Sequence, residues 1–443
     1  MPSQIGRPIH GRLAAAFDVT SDEAPAVTAG AAMFFFLFTG YFMLRPVRET
    51  MGLAGGIDKL QWLFSATFVA TLIALPLFGW LASRARRRRI LPWTYGFFIL
   101  NLAAFAASFL HNPDDIWVAR AFYVWLSVFN LLAISLAWSV LADLLPVAQG
   151  KRLFAIIAAG ASLGGLTGPI LGTLLVAPLG HAGLMLSSAL LLGISALCGE
   201  ALQRWRDRNP LAEQTPSDRT RPLGGNAFAG ATEVLASGYL LLICAFVVLL
   251  AVVSTFLYFE QARLVAETFP DRTRQTQVFG MIDTAVQTAT ILIQLFLTGR
   301  IAKSLGIGVL LTAVPLAMAA GFLWLAFSPV FAVLAGVMVA RRVGEYALVR
   351  PAREMLYTVL RPEEKYKAKN FIDTVVYRGG DAVGGWIKAG LDMLAGHPAA
   401  AMSIGAGLAL AWAATGAALG RLQRAKERTC NPDRPGNAGG SSR

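Results

Sequence analysis

Six charged side chains, Arg341, Arg342, Glu345, Arg350, Arg353 and Glu354, follow an apolar run that is too short to cross a bilayer. That run, Pro329 to Ala340, has twelve residues. They make about 18 Å of helix against a hydrocarbon core of about 30 Å, so the helix must continue through the charges. Each charge exposed to lipid at mid-depth would cost about 3 kcal/mol. Charges kept at that cost face a watery cavity. A cavity richer in guanidinium than in carboxylate suits an anionic cargo, because the planar arginine fork matches carboxylate and phosphate oxygens. The chemistry is recognition rather than bond making. On a regular helix Arg342, Glu345, Val349 and Arg353 share one face. Arg342 is spaced to pair with Glu345 or Tyr346, and Arg350 with Glu354. Four arginines against two glutamates leave an excess of positive charge. A salt-bridge network that serves structure alone is the competing reading.

The phrase Arg350-Pro351-Ala352-Arg353-Glu354 has a counterpart in Arg45-Pro46-Val47-Arg48-Glu49, where the first apolar segment ends. Arg45 and Arg48 lie three residues apart on one helical face. Farther along, Lys365, Lys367, Lys369, Asp373, Arg378, Asp381, Lys388 and Asp392 fall in or beside another apolar segment. Asp373, Tyr377 and Asp381 there follow an i, i+4, i+8 spacing, and Arg378 and Asp381 are spaced for an internal pair. Lys369, nearest the helix start, is the better ligand candidate; Lys365 and Lys367 read as solvated loop charges. Glu260 interrupts a further apolar stretch between Tyr258 and Arg263. Signals for other chemistry are missing. There is no phosphate-binding Gly-x-x-x-x-Gly-Lys-Ser/Thr loop, and no nucleophile elbow or His–Glu metalloprotease motif. The four histidines are scattered and the three cysteines form no cluster. Neither an enzyme, nor a metal site, nor a cofactor is expected.

The elements that must hold these residues are membrane helices. The chain of 443 residues is 56% hydrophobic and only 15% charged, the composition of a polytopic membrane protein. Apolar spans fall at 26–44, 61–83, 91–110, 117–142, 153–177, 182–203, 239–262, 276–299, 306–327, 329–350, 371–396 and 399–420, each near the length a bilayer requires. The predicted fold is all-α, with twelve transmembrane helices in two six-helix bundles. The expected organisation is an N-terminus over 1–25, a first bundle over 26–204, a linker over 205–238, a second bundle over 239–420 and a basic, disordered tail over 421–443. Net charge is +13, yet its distribution speaks against nucleic acid. Arg and Lys cluster in alternate loops, around 84–89, 151–152, 204–221, 300–303, 361–369 and 421–428, with Arg263, Arg272 and Arg274 near one opposite loop as the exception. The positive-inside rule then places both termini in the cytoplasm, in a cell's inner membrane. No cleavable signal peptide is apparent, and a monomer in the lipid bilayer is expected.

The halves echo one another. Gly79-Trp80-Leu81-Ala82-Ser83 precedes a basic loop, as Gly299-Arg300-Ile301-Ala302-Lys303 does 220 residues later. Gly160, Gly164 and Gly165 return as Gly380, Gly384 and Gly385 at the same interval. Parallel six-helix repeats of this kind resemble the plan of major facilitator transporters, which implies a cargo site between the halves near mid-membrane. Span five repeats glycine at Gly160, Gly164, Gly168 and Gly172. The phrase from Gly164 to Gly172, with Pro169, looks like the antiporter motif of drug exchangers in that superfamily, although a face for close helix packing is the better reading, GxxxG being common in any membrane helix.

At its charged segments the chain resembles the ATP/ADP translocases of intracellular bacteria and plastids, a nucleotide-exchange family. Leu44-Arg45-x-x-Arg48-Glu49 looks like the Leu-Arg-x-x-Lys-Asp after that family's first helix. Glu260, after Leu257-Tyr258-Phe259, falls where the family has an acidic residue in helix seven. Lys365-x-Lys367-x-Lys369-x-x-Ile372-Asp373 resembles its lysine-rich entry to helix eleven. Where the exchangers carry a glutamate in helix four, the stretch here reads Trp125-Leu126-Ser127-Val128-Phe129-Asn130. The resemblance implies antiport of a phosphorylated, nucleotide-like anion, with Arg48, Glu260 and Lys369 as counterparts of the family's transport residues. Arg342, Arg353, Arg45, Arg350 and Asp373 join them as substrate-binding candidates, expected around a common cavity. A proton-coupled facilitator for another organic ion, or a membrane binding or scaffold protein on the same fold, stays open.

Overall fold

The computed structural model describes residues 20, 22–84, 87–145, 147–209, 230–395 and 398–430. The start of the chain, most of the expected linker and the tail from 431 lie outside the described residues.

Among the described residues every regular element is helical. The first six membrane helices are α1 (Ala24–Ala54), α2 (Leu60–Arg84), α3 (Arg87–His111), α4 (Ile116–Leu144), α5 (147–179) and α6 (181–208). A short helix, Ala231–Ala236, leads into α7 (Gly238–Thr268), α8 (272–305) and α9 (307–327). Next come α10 (331–356), α11 (362–395) and α12 (Pro398–Cys430). Nine described helices are long and apolar enough to cross a membrane. One of them, Leu153–Arg208, holds two spans that meet at Gly180. Helices α10 and α11, interrupted and charged, complete the twelve, six before the linker and six after it.

Local sequence explains the breaks. Gly56 (φ 101°), Gly180 (φ 65°) and Gly306 (φ 76°) take left-handed backbone, which costs glycine little and other residues much. Asp115 starts α4 by accepting from the backbone N–H groups of Trp117 (2.8 Å) and Val118 (3.1 Å). The first apolar run stops near residue 44, but α1 does not. It continues through Pro46 to Gly55-Gly56, so Arg45 and Arg48 lie inside a helix rather than after one.

Contacts divide the molecule into two compact units, residues 1–225 with Val265–Gln287, and 226–264 with Thr288–Arg443. In the first unit the glycines of α5 lie against the backbone of α1. A Cβ on Gly160 would fall 2.2 Å from the Ala31 carbonyl, and one on Gly164 would fall 2.4 Å from that of Phe35. Gly168 and Gly172 meet Thr39 and Met43 in the same way. Packing therefore accounts for the whole ladder. Ser188 and Ser195 of α6 donate to the carbonyls of Gly40 (3.1 Å) and Met33 (2.8 Å), fixing α6 on α1 as well. The second unit repeats the device. Gly380 and Gly384 of α11 face Ala251 and Val252 of α7, with Cβ distances of 2.9 and 3.0 Å. The 220-residue echo thus marks equivalent helix pairs, α5 on α1 and α11 on α7. Each unit has its own apolar core, around Phe34, Phe122 and Phe129 in the first and Phe246, Phe322 and Trp412 in the second.

Candidate functional site

Arg45 and Arg48 belong to the first unit. Arg48 reaches from α1 to one face of α4, where its guanidinium lies 3.8 Å from the centre of the Tyr123 ring. Its Nε donates to Ser127 Oγ (3.1 Å) and to the Tyr123 carbonyl (3.3 Å), while Nη1 donates to Glu49 Oε1 (2.8 Å). A cation held over an aromatic face and by fixed acceptors has a set direction and little rotamer freedom left to lose. Arg45, one turn earlier, is 3.8 Å from Asp283 Oδ2 of α8. Asp283 is 4% exposed. The sequence reading missed it, although an acid inside the apolar phrase Met281-Ile282-Asp283 is the same signal that singled out Glu260.

The other six candidates belong to the second unit. Arg342 and Arg353 are 4% and 8% exposed, both well inside α10. Arg353 Nη2 lies 3.0 Å from Asp373 Oδ1 of α11. This is an ion pair without hydrogen-bond alignment, for Arg353 Nε, Asp373 Oδ1 and the Tyr357 hydroxyl have no hydrogen-bond partner among the described residues. Lys369 donates to Glu354 Oε2 at 2.6 Å, a second tie between the same two helices. Arg350 is exposed. Glu260 is buried and held by Arg263, one turn along α7. The expected pair between Arg378 and Asp381 is present at 3.7 Å.

One expected pairing changes partners. Glu345 is bound by Arg341 (2.9 Å), which also donates to Ser254 of α7 (2.8 Å), and Glu354 by Lys369 instead of Arg350. Helices α10 and α11 also depart from 3.6-residue periodicity. Residues Glu345–Val349 form a π turn, as do Gln294–Thr298 in α8 and Ile372–Val376 in α11. Each π turn carries one residue more than an α turn and rotates the remainder of its helix about the axis. The face drawn through Arg342, Glu345, Val349 and Arg353 is therefore not a regular one. The spacing from Asp373 to Tyr377 is altered likewise. The first two π turns are tied together, for Gln294 Nε2 donates to the Tyr346 carbonyl (3.1 Å) and Thr298 Oγ1 to that of Ala347 (2.9 Å).

In charge, the α10–α11 cluster sets Arg341, Arg342, Arg350, Arg353 and Lys369 against Glu345, Glu354 and Asp373, a positive excess in an apolar setting. The cations of such a cluster are the donors of charge-assisted hydrogen bonds to carboxylate or phosphate oxygens.

A sequence model of the Major Facilitator Superfamily matches residues 27–269. No curated protein matches the chain in sequence. Solved structures of similar fold include a bacterial homologue of the human lysosomal transporter Spinster, inward-facing and unoccupied. It has a TM-score of 0.55 and 15% identity, with 95% of this chain and 100% of that one covered. The nucleoside transporter NupG gives 0.60 and 12%, with 90% and 99% covered. A human organic anion transporter, TETRAN, gives 0.55 and 16%, with 89% and 99% covered.

Proposed function

The chain belongs to the major facilitator superfamily of secondary transporters, and from that premise we propose that its cargo is an anionic, phosphorylated metabolite, nucleotide-like, moved by exchange. The observation that carries this reading is the buried guanidinium of Arg353, with its Nε lacking a hydrogen-bond partner among the described residues. A buried donor left unsatisfied costs about 1–3 kcal/mol, and a phosphate oxygen would satisfy it. In the proposed mechanism Asp373 and Glu354 hold Arg353 and Lys369 while the site is empty. An incoming phosphate takes over both cations, releasing the two carboxylates and with them the tie between α10 and α11. Arg48, fixed by Tyr123 and Ser127, offers a further cation to the same class of cargo. In the second unit Glu260 balances charge and Arg342 and Arg350 raise the local positive potential, as Arg45 does beside Arg48 in the first.

The likeness to the translocase phrases around Arg48 and Lys369 supports a nucleotide-like cargo, and the excess of cations supports an anion of any kind. One observation favours a second reading. Asp283, buried beside Arg45, is an acidic side chain inside a membrane span, and acids in such positions mark ion pathways in transporters. Uptake of labelled ATP and other organic anions into proteoliposomes separates the two. Stimulation by internal nucleotide, unaffected by a protonophore, is the outcome expected for exchange. Flux that follows the pH gradient favours the second reading, and no flux of any anion tested overturns both.

A further inference from the structure

A groove in the first unit plays no part in the proposed exchange. It has a volume of about 710 Å3, within the range of roughly 300–1,000 Å3 that ligand pockets occupy. Helices α2, α3 and α4 line it, through Leu77, Trp93, Phe97, Trp125 and Val128 among others. Of its twelve lining residues only Arg89 carries a charge. Leu77, Trp93 and Phe97 are each more than half exposed. On helices that cross a membrane, such side chains meet hydrocarbon, so the groove is reached from the bilayer and suits a chain-like apolar guest.

Arg89 sits in the first turn of α3 and lines the same groove. Its neighbour Arg88 is engaged by Asp207 (3.2 Å) and Glu200 (3.6 Å) of α6. Arg89 has no ion-pair partner among the described residues, and its charge faces an apolar groove that supplies no carboxylate. Trp93, one turn on, adds the aromatic partner that accompanies basic residues at membrane interfaces. An apolar groove with one uncompensated cation at one end is complementary to an amphiphile with a negative head.

We propose that this groove binds one anionic phospholipid, its acyl chain lying between α2, α3 and α4 and its phosphate on Arg89. The site bears on transport through α4. Trp125 and Val128, which line the groove, bracket Ser127, whose hydroxyl accepts from Arg48. Trp125 also stacks on Phe129, with ring centres 5.3 Å apart and planes 9° apart. A lipid in the groove supports the turn of α4 that orients Arg48.

The test compares phosphatidylglycerol with phosphatidylcholine of identical acyl chains, added to the full-length protein purified in a neutral detergent. Native mass spectrometry reports retained lipid, and thermal unfolding reports stabilisation. Phosphatidylglycerol is expected to be retained and to raise Tm above the phosphatidylcholine value, while any effect of soluble glycerol phosphate, a candidate cargo, is the same in Arg89→Gln as in the wild type. Arg89→Gln should lower phosphatidylglycerol retention about tenfold, the loss of roughly one charge-assisted hydrogen bond, and leave phosphatidylcholine unchanged. Arg88→Gln should keep the preference, since its side chain is already engaged on α6. Val128→Trp, filling the groove, should remove the effect of either lipid. Equal retention of the two lipids by the wild type overturns the proposal, as does an undiminished preference in Arg89→Gln. Stabilisation by glycerol phosphate that Arg89→Gln abolishes would mean a soluble anion site on Arg89 and overturns it too. Arg89 is exposed, so its variant keeps the test decisive even if Val128→Trp does not fold.

Discussion

Arg353 can be a structural partner of Asp373 or a ligand for cargo, and the two roles leave different traces. The Asp373 side chain is 30% exposed and that of Arg353 10%, so water screens the pair in part. Removing one partner of such a half-buried pair costs about 1–3 kcal/mol, less than the loss from a fully buried one. Arg353→Gln should lower thermal stability by that amount, and Asp373→Asn in the same chain should restore most of it, because the stranded carboxylate is then neutral. If Arg353 also holds phosphate, its Gln variant needs about ten- to a hundredfold more substrate for the same thermal stabilisation, and the double variant does not recover. Full recovery of apparent affinity along with stability would reduce Arg353 to a structural role. Arg48→Gln should show the loss of affinity with a smaller loss of stability, since Tyr123 and Ser127 remain joined to the rest of α4. Binding should weaken as salt is raised.

Helix packing gives a sharper test, because glycine positions that look alike in the sequence differ in space. A methyl group on Gly160 meets a carbonyl at 2.2 Å, whereas one on Gly96 meets nothing within 4 Å. Gly160→Ala must push α5 off α1 and should cost about 1–3 kcal/mol in unfolding measurements. Gly96→Ala should be neutral or gain up to about 1 kcal/mol from helix propensity. Equal effects at the two sites would mean that the ladder does not seat α5 on α1. The same contrast shows what the sequence discloses. Apolar runs reveal twelve helices because a bilayer imposes one length on all of them, and the glycine echo reveals which helices pair. Charged residues in spans could be found by their cost, which is how Arg342, Arg353 and Glu260 were found. Their partners could not. Three π turns shift the register in α8, α10 and α11, and no propensity scale marks them; nor does spacing alone say that Glu345 goes to Arg341 and Glu354 to Lys369. Nor does the order of residues along the chain say that Ser127 of α4 receives Arg48 of α1.

Across the whole molecule, orientation in the membrane follows from where the basic residues fall. Arg88 and Arg89 open α3, Arg204 and Arg206 close α6, and Arg421 and Arg424 lie toward the end of α12. An odd number of spans separates the first and second groups from the connection between α3 and α4, which holds Asn112, Pro113, Asp114 and Asp115 and no lysine or arginine. Each cationic side chain moved out across a membrane that is negative inside works against the potential by about 2.3 kcal/mol per 100 mV, so the charge distribution predicts the basic ends on the cytoplasmic side. A reporter fused at His111 should therefore register outside the cytoplasm, and one fused at Ser217, in the expected linker, inside it. Replacing Arg88 and Arg89 with glutamine should weaken that asymmetry locally and leave the Ser217 reporter in place, because the basic residues closing α6 still hold its end. Two reporters on the same side would overturn the twelve-span topology, whereas opposite sides in the reversed sense would keep the helix count and refute the charge argument.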